Sequence, residues 1–256
     1  MTIGTAKPSA AELNVVKHYF IDEFPVTTQF TAADYESLAL NYLNDVFKEH
    51  NTAVVCGGTG LYIKALCEGL DEMPAVDEKV VKATEDEYNL RGLEWLQHTV
   101  LQEDPEFYSI GEVQNPARLL RALSFRRSHG QSIVNYRTRT PKQRPFRIIK
   151  AGLELPREIL YSRINERVDK MMAQGLLREA ESLYPQRHLK NLQSVGYTEL
   201  FDFMDGKYTL PEAINKIKQH TRNYAKRQMT WFKKDKSFTW FNADDKDVVE
   251  KILLLK

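Results

Sequence analysis

The chain has 256 residues, of which 42% are hydrophobic and 28% are charged, so it can bury a sizeable core and is typical of a globular protein. Its 36 basic and 35 acidic residues give a net charge of +1, so the global charge does not indicate a nucleic-acid partner. Only two cysteines are present, which argues against a disulfide framework or a zinc cluster. No apolar run approaches the ~20 residues of a membrane span, and we expect a cytoplasmic protein.

The first predicted elements are a helix, a strand and a second helix. Apolar residues recur at helical spacing between Tyr35 and Phe47, with Thr31 as the candidate N-cap. The apolar run over residues 52–56 predicts a buried strand, which leads into the turn Gly57-Gly58-Thr59-Gly60 and a second helix. A strand, a glycine turn and a helix in this order are typical of an α/β nucleotide-binding layer.

The middle of the chain is charged and helix-like, and the last third returns to a strand pattern before further helices. A proline at a suitable helix start follows the strand. This alternation predicts an α/β core that carries a helical insertion. The later elements are predicted as helical over 76–127, strand over 146–155, helical from 156, helical over 197–205 and 211–233, and strand over 238–241.

The glycine turn is the first candidate site. Glycines permit close backbone approach, and the amides of a following helix attract phosphate, but the same turn could simply connect a strand to a helix. The Walker pattern, which places a Lys-Ser or Lys-Thr pair after the glycines, occurs nowhere in the sequence.

Two basic regions are candidates for binding a polyanion. Arg118 and Arg121 share a helical face, which could equally be an ordinary solvated face. Basic residues interleaved with aromatic ones can neutralise phosphates and stack on bases. The regions comprise Arg118, Arg121, Arg126, Arg127, Arg137, Arg139, Lys142 and Arg144 with Tyr136 and Phe146, and then Lys218, Arg222, Lys226, Lys233 and Lys234 with Tyr224, Trp231 and Phe232.

Arg163 and Arg167 are spaced four residues apart on a predicted helix. Either could pair with Glu158, Glu166 or Asp169 on the same helix, or a guanidinium could point into a site and bind a pyrophosphate. The spacing does not decide between these interpretations.

Taken together, these segments resemble the tRNA dimethylallyltransferase family, in composition, order and spacing across nearly the whole chain. The matching segments are IGTAKPS at 3–9, VVCGGTGLYIKALCEGL at 54–70, NPARLLRAL at 115–123, RINERVDKM at 163–171, SVGYTEL at 194–200 and AKRQMTWF at 225–232.

The resemblance implies transfer of a dimethylallyl group from dimethylallyl diphosphate to N6 of adenosine 37 in the anticodon stem-loop of tRNA, assisted by Mg²⁺. It implies a catalytic role for Arg167 and diphosphate binding by Gly57, Gly58 and Thr59. The expected tRNA-binding residues are Ala117, Arg118, Leu119, Leu120, Arg121, Gln193, Ser194, Val195, Gly196, Tyr197, Thr198, Lys226, Arg227, Gln228, Met229, Thr230, Trp231, Phe232 and Lys233.

The fold implied is α/β, with a P-loop-kinase-like parallel sheet core that lacks its first strands and P-loop. Residues 1–74 and 141–256 are expected to form this core with C-terminal helices, and 75–140 to form a helical insertion that grips tRNA. We expect a monomer without a membrane partner.

Family members begin with a P-loop and an Asp-Ser motif that supplies the general base, and both would lie before Met1. The chain is therefore expected to be N-terminally truncated and inactive by itself. Two alternatives stay open: an adenylate isopentenyltransferase acting on a free nucleotide, and a non-catalytic RNA-binding module.

Overall fold

The computed structural model describes residues 1–5, 7–138 and 140–255, which form two compact units. The first unit comprises Met1–Cys67 together with Arg144–Lys256, and the second comprises Glu68–Gln143. The insertion predicted over 75–140 falls within the second unit, and its tRNA-gripping role stays a prediction. At the junction, the backbone N–H of Lys142 donates to the carbonyl of Glu68 at 2.7 Å, so the two ends of the second unit meet.

The described residues of the first unit are mainly helical. Thr31 and Asp34 form a capping box at the start of the second helix, which confirms the predicted N-cap. The helices are α1 (Ala10–Leu13), α2 (Ala32–Glu49), α3 (Gly60–Glu68), α7 (Arg157–Ala173), α8 (Leu176–Leu183), α9 (Tyr197–Met204), α10 (Leu210–Phe232) and α11 (Val248–Leu253), with short 3₁₀ turns at Tyr184–Gln186 and Lys190–Leu192.

A small parallel sheet joins two distant segments of the first unit. Strand β1 (Ala151–Glu154) pairs with β2 (Thr239–Asn242), with Ala151 opposite Thr239. Gly152 permits this packing, because a Cβ there would lie 2.6 Å from the Trp240 ring. The predicted strands over 146–155 and 238–241 are therefore present in shortened or slightly shifted form.

The strand predicted over residues 52–56 is wrong. In the part of the chain that the structure describes, these residues form no strand and no sheet joins them to 147–153. A strand forms where its backbone makes ladder hydrogen bonds to a neighbouring strand. Strand β1 makes these bonds with β2 and not with residues 52–56. Val54 is consequently 85% exposed and Val55 46% exposed, where a buried strand would have hidden both.

The core of the first unit lies among α7, α8, α9 and α10. Its fully buried members include Leu176, Tyr197 and Leu200, and helix α10 contributes Ala213 and Ile217. A smaller apolar cluster, centred on α2 and α3, contains Ala39, Leu43 and Leu66. In these two clusters the helices that carry the candidate site pack against one another.

The second unit is a helical bundle of α4 (Glu78–Glu103), α5 (Pro105–Ile110) and α6 (Pro116–His129), followed by a 3₁₀ turn at Ile133–Tyr136. Gly92 has a φ of 79° and kinks α4. The core contains Leu96, Phe107 and Phe125. Asn115 caps α6 and Gly130 ends it in a left-handed conformation, which explains why this helix begins and ends where it does.

Candidate functional site

The glycine turn lies against the C-terminal half of helix α10. The Nε2 of Gln228 donates to the carbonyl of Gly58 at 2.9 Å. A Cβ at Gly60 would lie 2.3 Å from Nε1 of Trp231, so the indole requires a glycine there. Gly57, by contrast, has no atom within 4 Å of its would-be Cβ. The structure thus brings together two groups of residues that the sequence predicted separately.

A cavity of about 590 Å³ opens beside this contact. Gly57 and Gly58 line one side, and Gln228, Met229 and Phe232 of α10 line another. The walls are otherwise largely apolar, including the exposed segment Ile148–Ile149 and both cysteines. An apolar cavity with a few polar backbone and side-chain groups is the usual form of a small-molecule site.

The predicted tRNA-binding residues on the C-terminal half of α10 differ in exposure. Lys226, Arg227, Thr230, Trp231 and Lys233 are exposed, whereas Gln228, Met229 and Phe232 are partly buried. The Nζ of Lys233 pairs with the Glu154 carboxylate at 2.7 Å. This half of the helix therefore contacts the glycine turn on one side and presents positive charge on the other.

The segment 193–198 forms a turn whose members differ in burial. Gly196 adopts a φ of 104°, and its N–H donates to the Glu199 carboxylate at 2.7 Å. Tyr197 is fully buried, whereas Gln193 is exposed. Ser194, Val195 and Thr198 are partly buried. Gln193 is therefore the residue of this turn that a large ligand would contact first.

Arg167 is exposed on α7, and no hydrogen bond or ion pair of its guanidinium occurs among the described residues. Its neighbour Arg163 pairs with Asp244 at 2.6 Å, a residue outside its own helix. Asn165 accepts a hydrogen bond of 2.6 Å from Arg222 of α10, which ties the two helices together. Arg167 thus has a cationic group available for an anion.

In the second unit, the predicted residues on α6 divide into exposed and buried ones. Ala117, Arg118 and Arg121 are exposed, Leu120 is partly buried and Leu119 is fully buried in the core. Arg118 pairs with Glu112 at 2.9 Å, an exposed pair that contributes little to stability.

Several other arginines of the predicted basic region are structural. Arg127 binds the carboxylates of Glu103 at 2.9 Å and Glu87 at 3.2 Å. Arg126 donates to the carbonyl of Gly130 at 2.6 Å. Arg139 lies outside the described residues. A hydrogen bond at a helix end and ion pairs between helices therefore account for part of the charge pattern, which the sequence could not distinguish from a ligand-binding face.

Arg144, which the sequence grouped with this region, belongs to the first unit and is also structural. Its side chain is only 7% exposed and pairs with Glu36 at 2.7 Å. It also donates to the carbonyls of Ala65 and Leu66, at 2.8 Å each. Arg144 therefore ends α3 and ties it to α2, so it is removed from the candidate polyanion-binding residues.

Comparison with known proteins decides the family. The family described as "IPP transferase" matches residues 1–235. The chain is similar to tRNA dimethylallyltransferase 1 of Phocaeicola vulgatus, with 45% identity over 95% of this chain and 81% of the relative. It is also similar to tRNA dimethylallyltransferase 1 of Bacteroides thetaiotaomicron, with 41% identity over 100% of this chain and 83% of the relative.

The chain belongs to the IPP transferase family.

The solved structures agree with this assignment. The full-length tRNA isopentenylpyrophosphate transferase of Bacillus halodurans matches with a TM-score of 0.68 and 34% identity, over 99% of this chain and 80% of that one. A eukaryotic dimethylallyltransferase described as acting on tRNA matches with a TM-score of 0.69 and 22% identity, over 90% and 59% of the two chains, and shares the fold. The predicted family resemblance is confirmed, and the protein belongs to a prenyltransferase enzyme family.

In this IPP transferase, sequence reasoning missed a cluster that fixes the first residues of the chain. The Glu179 carboxylate on α8 accepts the backbone N–H groups of Thr2, Ile3 and Gly4 at 2.8, 3.0 and 3.0 Å, and the hydroxyl of Tyr197. Burial raises the pKa of Glu179, but these four donors outweigh burial and lower the pKa to about 2. Burial and the same carboxylate raise the pKa of Tyr197. The three amides lie 175 to 177 residues from Glu179, so no local signal could reveal these contacts.

The described residues of this IPP transferase contain no group of three or more His, Cys, Asp or Glu side chains that could hold a metal ion. The described side chains therefore offer no ready-made cage for Mg²⁺, and the role of the metal stays a prediction. None of the helices built from the described residues has the length and apolar character needed to cross a membrane.

Proposed function

We propose that the candidate site of this protein serves the transfer of a dimethylallyl group from dimethylallyl diphosphate to N6 of adenosine 37 in tRNA, with release of pyrophosphate. The observation that carries the proposal is the contact between the glycine turn and α10, which joins a candidate diphosphate site to a basic, aromatic helix in an IPP transferase. Relatives at 41–45% identity carry the name tRNA dimethylallyltransferase.

The leaving pyrophosphate sets the first chemical demand. Negative charge builds on the diphosphate as the carbon–oxygen bond breaks, so fixed amides and cations lower the barrier. Gly57–Thr59 would supply backbone amides at the start of α3, and Arg167 would supply a guanidinium without a partner among the described residues. The largely apolar walls of the cavity suit the dimethylallyl chain.

The adenine that accepts the dimethylallyl group imposes a second chemical requirement. The N6 amine of a stacked adenine is out of reach, so the base must leave the anticodon-loop stack to meet the diphosphate. The exposed residues of α10 and of α6, together with Gln193, would bind the tRNA. Leu119 and Tyr197 are buried and would serve by holding their segments in place.

We further propose that the polypeptide of residues 1–256, assayed alone, binds tRNA but does not turn over. Its sequence contains no Gly-Lys-Ser/Thr pattern to seat both phosphates and Mg²⁺. No carboxylate in a matching motif is present to deprotonate N6. Loss of a positioned base costs about 10²–10⁴ in rate, and loss of electrostatic stabilisation costs a further factor of about 10²–10³.

The test is to incubate the purified chain with Mg²⁺ and radiolabelled dimethylallyl diphosphate, in parallel with either unmodified tRNA or free AMP. The tRNA dimethylallyltransferase of Phocaeicola vulgatus serves as the positive control. Labelling of tRNA by the chain at the control's rate would contradict the proposed inactivity and support the reaction. Labelling of AMP would favour the free-nucleotide alternative.

A binding measurement tests the tRNA contacts separately. Replacing Arg118 and Arg121 by alanine should weaken binding and reduce the salt dependence by about one counterion per lost phosphate contact. Arg126→Ala on the same helix is the matched control, because its guanidinium donates to a carbonyl of its own helix end. If the double variant bound tRNA like the parent at every salt concentration, these two arginines would have no role.

A further inference from the structure

Gln228 of helix α10 spends its side-chain amide on the backbone of the glycine turn. Its Nε2 donates to the carbonyl of Gly58 at 2.9 Å, and the residue is only partly exposed. The family resemblance groups Gln228 with the tRNA-binding residues, yet this amide is directed at a segment 170 residues away in the chain. The contact separates Gln228 from its exposed neighbours Lys226 and Arg227.

The close approach of Gln228 explains why residue 58 is a glycine. The φ of Gly58 lies outside the left-handed region, so its backbone conformation alone would also admit alanine. A Cβ at Gly58, however, would lie 1.9 Å from Nε2 and 3.0 Å from Cδ of Gln228. The carboxamide therefore fills the space that a side chain at position 58 would need.

The same hydrogen bond fixes the direction of the next amide. The carbonyl of Gly58 and the N–H of Thr59 belong to one planar trans peptide, so they point in opposite directions. Because the carbonyl faces Gln228, the N–H of Thr59 points away from it. The carbonyl of Thr59 accepts the N–H of Ile63 at 3.1 Å at the start of α3. The N–H of Thr59 has no acceptor among the described residues.

A rotation of the Gly58–Thr59 peptide would reverse these two groups. The absence of a Cβ at Gly58 makes such a rotation sterically easy, and it would place a carbonyl where the N–H had been. A carbonyl oxygen repels the phosphate oxygens that the N–H attracts. Only molecules in the favourable orientation would bind the diphosphate, so the measured affinity falls with their fraction. Gln228 can donate to Gly58 in that orientation alone.

We propose that Gln228 is a positioning residue of the diphosphate site, which keeps the N–H of Thr59 available to the diphosphate and does not contact the RNA. The proposal rests on the proposed function, which assigns Gly57–Thr59 to the diphosphate. It transfers Gln228 from the expected tRNA-binding residues to the donor side of the reaction.

The test measures two affinities of the purified chain, for inorganic pyrophosphate by calorimetry and for unmodified tRNA by filter binding. Gln228→Leu should weaken pyrophosphate binding about 2- to 12-fold, the factor that corresponds to one neutral hydrogen bond, and should leave tRNA binding unchanged. Gln219→Leu is the matched control, because Gln219 is exposed on the same helix and does not line the cavity. This variant should change neither affinity.

The amide resonance of Thr59 reports the orientation of the peptide directly. Pyrophosphate should shift this resonance in the parent chain. In Gln228→Leu without ligand, exchange between the two orientations should broaden it, whereas a loss of helix packing alone would not single out this amide.

A cycle of alanine variants tests the close contact without relying on Gln228→Leu. Gly58→Ala should weaken pyrophosphate binding like Gln228→Leu, because its Cβ displaces the carboxamide. In a Gln228→Ala background that space is vacant, so Gly58→Ala should cause no further loss. Losses that simply multiplied would contradict the contact. Urea unfolding of each variant shows that it is folded.

The outcomes separate this role from the proposed function. If Gln228→Leu lost tRNA binding and kept pyrophosphate binding, Gln228 would be an RNA contact and the positioning role would be wrong. Unchanged affinity for both ligands would also overturn the positioning role, while the proposed function stood. If the parent chain failed to bind pyrophosphate, the diphosphate site of the proposed function would fail and the role of Gln228 with it.

Discussion

Glu179 offers the sharpest test of how the first residues of the chain are held. Its carboxylate accepts three backbone N–H groups and the Tyr197 hydroxyl, so Glu179→Gln keeps the shape but replaces one acceptor oxygen by a donor. The difference between its ordinary pKa of 4.5 and about 2 corresponds to about 3 kcal/mol. Because the side chain is partly exposed, solvent screening reduces the expected loss to about 1–2 kcal/mol.

The pH dependence has a definite sign. The pKa of Glu179 is lowered by folding, so its contribution is fully present above about pH 4.5 and is lost as the pH falls toward 2. The measurement is urea unfolding of the parent and of Glu179→Gln at pH 7 and at several lower values. The gap in unfolding free energy should be largest at pH 7 and should shrink below pH 4.5.

Glu181→Gln on the same helix is the control, because Glu181 is exposed and its carboxylate makes no hydrogen bond among the described residues. This variant should unfold like the parent at every pH. Equal stability of Glu179→Gln and the parent at pH 7, or a gap that stayed constant down to pH 3, would refute the reasoning.

Three further predictions concern the first unit. Arg144→Met should lower the free energy of unfolding by about 3–5 kcal/mol in a urea titration, because it removes the guanidinium that pairs with the buried Glu36 carboxylate and donates to the carbonyls of Ala65 and Leu66; a loss below 1 kcal/mol would contradict this. Gly60→Ala should destabilise by about 1–3 kcal/mol and change Trp231 emission, whereas Gly57→Ala should do neither; equal effects of the two would disprove the close approach. Ile149→Lys should reduce binding of an apolar dye to the open cavity, and undiminished dye fluorescence would show that the dye binds elsewhere.

The sequence predicted the helices well where local chemistry decides them. The Thr31 cap starts α2, and Pro156 stands immediately before α7. Each signal acts within one helical turn, so it can be recognised without knowledge of the fold. The family resemblance depended on the same kind of information, namely short segments in a fixed order.

Features that depend on distant partners were not predictable. The apolar run at 52–56 has strand composition, yet β1 pairs with β2 and leaves Val54 in solvent. The sequence groups Arg144 with a basic region, and only the structure shows that it pairs with the buried Glu36. The contact between Gly58 and Gln228 spans 170 residues. In each case the missing information was which segment lies opposite, which composition does not encode.

The hydrogen bond between Lys142 and Glu68 shows how the second unit is inserted into the chain of the first unit. Because the second unit leaves and re-enters the first at neighbouring backbone positions, its whole length is inserted at one point of the first unit's chain. The first unit closes the same short gap whatever the length of the inserted segment, since closure entropy grows only slowly with length. We therefore expect that homologous insertions of different size can replace the second unit at this junction while the helices around α10 keep their own packing.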